Sequence, residues 1–183
     1  MSALARIDSL TEPQALAAFL RCCGSRRWAE AMLHGRPYGD EPALMAAAER
    51  AFAPLALADW REAFSHHPRI GDRGAFAARF PPTSSGSTSD LRGQTAGWAA
   101  AEQGGVAAAG EDVLDALVLA NRDYEARFGY IFIVCATGKS AEEMLALLRQ
   151  RLPNDPAAEF QNAAAEQRKI TAIRLKKLLS EGP

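Results

Sequence analysis

Residues 130–137 read YIFIVCAT. The run is β-branched and aromatic, the pattern of a buried strand. Its reading decides the fold class, because every other strongly periodic stretch of the chain is helical. A strand needs a partner, since buried backbone N–H and C=O groups are costly when unpaired. No second stretch offers a convincing strand pattern. The run is therefore expected to be a helical or extended segment buried between helices. The fold class is then all-α, a single-domain bundle of about seven to nine helices over residues 1–183.

Working outward, the helix signals are local and physical. Thr11 followed by Gln14 is a capping box with Pro13 in the first turn, opening a helix to Cys22. Ser25 opens a second helix, with Trp28 and Met32 four apart and Gly35 as its stop. Asp40-Glu41-Pro42 opens a third, ended by Pro54; residues 56–66 form a fourth, ended before Pro68 because proline disfavours helix in the preceding residue. Residues 81–90, PPTSSGSTSD, are rich in Pro, Ser, Thr and Gly, so a flexible loop is expected over about 81–95. A short helix over 96–110 is interrupted by Gly104 and Gly105. Stronger helices are expected over 111–127, from the capping box of Ser140 and Glu143 to Leu152, and from Asp155-Pro156 to Leu179.

Composition narrows the partners. The chain has 183 residues, 48% hydrophobic, with net charge −1. A chain of this length buries roughly 70% of its unfolded surface, enough for a core without staples. Near-zero charge and scattered Lys and Arg argue against nucleic acid as the main partner. No apolar run of about 20 residues predicts a membrane span. The opening residues, MSALARIDSL, are too polar and short to read as a signal peptide. Three cysteines, two of them adjacent and none in a CxxC, predict neither a disulfide framework nor a thiolate zinc site. A reducing, cytoplasmic setting is expected.

Candidate site residues are polar groups falling where the pattern predicts core. The stretch SHHPRIGD, 65–72, holds two adjacent histidines. At about 100° per residue, His67 continues the stripe Leu57, Trp60, Ala63, Phe64, and His66 points away from it. His67 is either an inward acid–base group or a core histidine bonded to a carbonyl. Glu102 lies between Trp98 and Val106 at spacings of four, either a buried carboxylate or a half-exposed one beside the glycines. Asn121 falls on the face of Val113, Leu114, Leu117, Tyr124 and Phe128, where a hydrogen bond closing a helix contact is the simpler reading. Arg174 lies near the centre of the face formed by Phe160, Ala163, Ala164, Ile170, Ile173 and Leu178. A central Arg needs a carboxylate partner, from the protein or from a ligand. A metal site from His66, His67 and Asp72 lacks any supporting spacing. Cys135, inside an apolar run, reads as an inert thiol.

Four stretches go further. HPRIGD (67–72), W-x3-EQ-x-GV (98–106), LANRDYEARFGYIFIVCATG (119–138) and RLPNDPAAEFQNAAAEQRKITAIRL (151–175) resemble, in order, the OHCU (2-oxo-4-hydroxy-4-carboxy-5-ureidoimidazoline) decarboxylase family. The resemblance implies an all-α homodimer that converts OHCU to (S)-allantoin in urate degradation, with no cofactor and no metal. By position it implies His67, Glu102 and Arg174 as catalytic residues. It implies Pro68, Ala99, Gln103 and the segment Phe132, Ile133, Val134, Cys135 and Ala136 as substrate-binding. Two departures accompany it. A pocket serine of many members is here Ala99, and the stretch between His67 and Glu102 is longer than usual. Two rivals of other classes stand beside this expectation: a catalytically idle helical binding or scaffold protein of the same fold, and a metal-dependent hydrolase using His66 and His67.

Overall fold

The computed structural model describes residues 3–70, 98, 102 and 109–181. Among them are eight helices: α1 (Ala3–Asp8), α2 (Glu12–Cys22), α3 (Arg26–His34), α4 (Glu41–Phe52), α5 (Leu57–Ser65), α6 (Glu111–Phe128), α7 (Ala141–Arg151) and α8 (Pro156–Glu181). No strand occurs among the described residues, so the all-α expectation holds. Trp98 and Glu102 are also helical. The expected loop over 81–95 and the remainder of the 96–110 helix lie outside the described residues.

The helix starts follow the sequence signals. Thr11 N donates to Gln14 Oε1 at 3.1 Å, Ser25 Oγ accepts from Trp28 N at 3.3 Å, and Asp40 Oδ1 accepts from Ala43 N at 2.7 Å. Ser140 and Glu143 form the reciprocal capping box of α7. Asp155 Oδ1 accepts from Ala157 N at 2.9 Å to open α8. These caps satisfy amides that a helix start otherwise leaves without partners. Helix α1 was not expected from the sequence. It is one and a half turns long and buries only Ile7, too short for a periodic pattern to form.

The chain divides into two compact units, residues 1–63 with 168–183, and residues 64–167. In the first, α2 packs on α3 and α3 on α4. Its centre is aromatic. Trp28 meets Phe19 edge-on and Phe52 at a tilt, with its indole N–H on the Ala48 carbonyl at 3.1 Å. Phe52 stacks on Trp60, and the Arg168 guanidinium lies over both rings. Leu57, expected to begin the buried stripe of α5, is instead 50% exposed. The buried face begins at Trp60 and continues through Ala63 and Phe64. Leu57 is the first residue of its helix, where few neighbours are available to cover it.

In the second unit α6 packs on α7. Gly129 ends α6 at φ 74°, a left-handed turn that favours glycine. The chain then enters the 130–136 run, which is buried throughout apart from a half-buried Ile131. It forms neither a helix nor a strand. Side chains and a turn take the place of a partner strand. Cys135 N–H donates to Glu166 Oε2 at 2.7 Å. The Ile133 carbonyl accepts from Arg151 at 3.0 Å, and the Cys135 carbonyl from Lys139 Nζ at 2.8 Å. The Ala136 carbonyl accepts the Lys139 amide at 3.0 Å. The backbone requirement that argued against a lone strand is thus met in part from the surrounding helices and the following turn.

Candidate functional site

His67 does not lie on α5. The helix ends at Ser65, and His67 N–H bonds back to the Phe64 carbonyl at 3.1 Å in the turn that follows. Its ring is half-buried, as is Pro68, whereas His66 is exposed. Nε2 of His67 lies 2.7 Å from Oε1 of Gln167, a fully buried residue of α8. An amide oxygen only accepts hydrogen bonds, so Nε2 is the donor.

The backbone beyond His67 is fastened to α6. Arg69 forms a two-pronged ion pair with Glu125, closest at 2.7 Å. The Asn121 amide donates to the Ile70 carbonyl at 3.2 Å and to the Leu117 carbonyl at 2.9 Å. Asn121 therefore takes the structural of its two readings. Such clamps hold a short turn in one geometry, which a positioned imidazole requires.

Glu102 is half-buried on a helical turn. Ala99 and Gln103, expected beside it, lie outside the described residues. Phe132, Ile133, Val134, Cys135 and Ala136 are all buried. Four of their backbone groups are already engaged as described above, which restricts the groups of this run that remain to meet a ligand. Adjacent residues of α8 serve two parts of this unit: Glu166 holds Cys135, and Gln167 holds His67.

Arg174 belongs to the other unit and is 2% exposed, so the central placement read from the helical pattern is correct. Phe160 and Ile173, assigned to the same face, are only half-buried. Near Arg174, burial pushes the Cys23 thiol up to about 11. The opposing pull of the Ser25 backbone, the Thr171 side chain and the Arg174 charge is weaker. Cys22, Cys23 and Cys135 are all buried and none forms a disulfide. Among the described residues no group of three or more His, Cys, Asp or Glu side chains could hold a metal ion. No helix among them is long and apolar enough to cross a membrane.

Sequence reasoning missed a second polar cluster. Glu159, fully buried on α8, accepts from Tyr124 Oη and from Arg151 Nε at 2.8 Å. It also accepts from Asn154 at 2.8 Å and Asn162 at 3.1 Å. Burial opposes ionisation of its carboxyl, yet the hydrogen bonds from Arg151, Tyr124, Asn154 and Asn162 outweigh it and hold the group below its ordinary value. Tyr124 is pushed the other way, first by burial and then by Glu159. Arg151 also lies over the Phe132 ring at 4.7 Å. The signal was present in the sequence. Glu159, Ala163, Gln167 and Thr171 repeat every four residues along one buried stripe of α8. A stripe of mostly small and polar residues does not announce itself as core.

Comparison with known proteins bears on this geometry. The sequence profile of the family described as OHCU decarboxylase matches residues 8–176. The chain is 35% identical over 160 residues to the uric acid degradation bifunctional protein TTL of Arabidopsis thaliana, covering 87% of this chain and 46% of that protein. It is 42% identical over 59 residues to the 2-oxo-4-hydroxy-4-carboxy-5-ureidoimidazoline decarboxylase of Amia calva, covering 32% of this chain and 34% of that protein. The chain thus spans under half the length of these curated relatives. A crystal structure of OHCU decarboxylase in the presence of (S)-allantoin superposes with a TM-score of 0.66 at 32% identity, covering 90% of this chain and 98% of that one. A crystal structure of (S)-allantoin synthase, at 16% identity and a TM-score of 0.64, covers 97% of this chain and 54% of that one and shares the fold alone. With the profile running through nearly the whole helical order, from α1 to the last turns of α8, the chain belongs to the OHCU decarboxylase family.

Proposed function

We propose that this chain decarboxylates OHCU to (S)-allantoin, in urate degradation, without a cofactor. The observation that carries the reading is His67. It is a half-buried imidazole set in a fastened turn and held by a buried amide on Nε2, in a chain matched by the OHCU decarboxylase profile. Two further supports are a relative named for uric acid degradation and a solved relative studied with (S)-allantoin.

The chemistry sets the requirements. Breaking the C–CO2 bond leaves its electron pair on the ring carbon. That pair passes into the adjoining C=O/C=N system as an enolate-like species, so the substrate is its own electron sink. The hydroxyl proton then leaves as the ring C=O forms, and a proton must reach the adjoining ureido-bearing carbon on one face. His67, of a residue type that titrates near neutral pH, moves the hydroxyl or carboxyl proton and supplies the proton that sets the S configuration. Glu102 accepts hydrogen bonds from ureido or ring N–H groups, with Gln103 beside it. Pro68 and Ala99 border the ligand. Backbone groups of Phe132–Ala136 not engaged by the protein orient the ring. Arg174 pairs with substrate anion. Acid–base assistance of this kind is worth ~10²–10⁴-fold. We further propose that the chain is a single domain and acts as a cytoplasmic homodimer.

The test is to generate OHCU fresh from urate with the upstream enzymes and follow allantoin chirality by circular dichroism. Accelerated formation of the S enantiomer is expected. A rate no faster than the spontaneous racemic route overturns the proposal and favours an idle binding protein of the same fold.

A further inference from the structure

We infer that Gln167 is a positioning residue for His67: from α8 it fixes the imidazole by Nε2 and keeps the proton on that nitrogen. The inference deepens the proposed function and rests on His67 being its acid–base group. The contact is 2.7 Å, and Gln167 is fully buried, so the amide has little freedom to turn. Its neighbour Glu166 grips the Cys135 amide at 2.7 Å, which registers this turn of α8 against the 130–136 run. The Arg69–Glu125 pair and the Asn121–Ile70 bond fix the backbone on the other side of the imidazole.

The consequence is a choice of nitrogen. A neutral imidazole carries one proton. With that proton held on Nε2 by an oxygen that only accepts, Nδ1 is the basic nitrogen. An amide also differs from a carboxylate in this place. A carboxylate would favour the imidazolium and raise the pH at which His67 titrates. The amide orients the ring without placing a full negative charge beside it.

The experiment uses the full chain labelled with ¹⁵N-histidine, the His67 signals being assigned by their loss in His67→Asn. The neutral ring of the wild type is expected as the Nε2–H tautomer. Gln167→Leu, which keeps bulk and removes the acceptor, is expected to mix the tautomers. It should lower kcat about tenfold with KM changed less than about twofold. Gln167→Glu restores an acceptor. It is expected to recover the single tautomer and to move the His67 limb of the kcat–pH profile to higher pH. A wild-type neutral ring protonated on Nδ1 overturns the inference. So does a Gln167→Leu protein whose tautomer and pH profile are unchanged. Should wild type and variants alike fail to turn over OHCU, the functional reading falls, while the tautomer measurement still decides the role of Gln167.

Discussion

At the scale of single residues, His67 is where sequence and structure meet most closely. Replacing it with Asn removes a titratable ring and keeps similar bulk. His67→Asn is expected to lower the rate of (S)-allantoin formation by ~10²–10⁴-fold while leaving the thermal unfolding midpoint within a few degrees. A variant with the wild-type rate would remove His67 from the chemistry. That His67 is more buried than His66 was legible, because the stripe of Trp60, Ala63 and Phe64 runs toward it. What holds His67 was not. The helix stops two residues short of it, and its partner lies 100 residues further along the chain, at Gln167. Periodicity describes one element at a time and carries no information on a bond between two.

Among the elements, one side chain of α7 joins the 130–136 run to the start of α8. Arg151 bonds the buried Glu159, bonds the Ile133 carbonyl and covers the Phe132 ring. Arg151→Ala would leave a carboxylate buried and short of its cation, so a loss of about 3–5 kcal/mol is expected in urea unfolding. Acid should do the same to the wild type. The folded Glu159 carboxyl lies below its ordinary value of 4.5. Its stabilising contribution is therefore complete above that pH and is lost as the pH falls through the lower folded value. Unfolding free energies taken through that range should decline in the wild type and decline less in Glu159→Gln. Constant stability across it would deny the coupling. Apart from α1 the helices were legible, because most of their caps and stops are local choices of Thr, Ser, Asp, Gly or Pro at a boundary. The run was only half legible. Its burial follows from composition, but its irregular path rests on donors and acceptors of Arg151, Lys139 and Glu166 that no pattern within the run reveals.

For the whole molecule, helical class and family were legible, since the matching stretches run through most of the chain in order. The division into two compact units was not, because it falls within α5 and α8 rather than at a linker. Helices that run through a division couple what lies on either side of it, since a turn cannot melt without its neighbours losing hydrogen bonds. A single unfolding transition is expected, with tryptophan fluorescence and far-ultraviolet circular dichroism giving the same midpoint. Two separated midpoints would assign the units independent stability and refute the single domain.

The 130–136 run has a final consequence outside catalysis. Seven residues of high β-propensity, without charge or proline, have the composition that stacks into cross-β fibrils when left uncovered. In the folded chain an arginine, a glutamate and a lysine occupy part of the hydrogen-bonding edge that another molecule would use. The side chains that seat the run in the protein also act as its gatekeepers against self-assembly. Unfolding that breaks the Arg151 and Glu166 contacts therefore uncovers a segment able to drive aggregation.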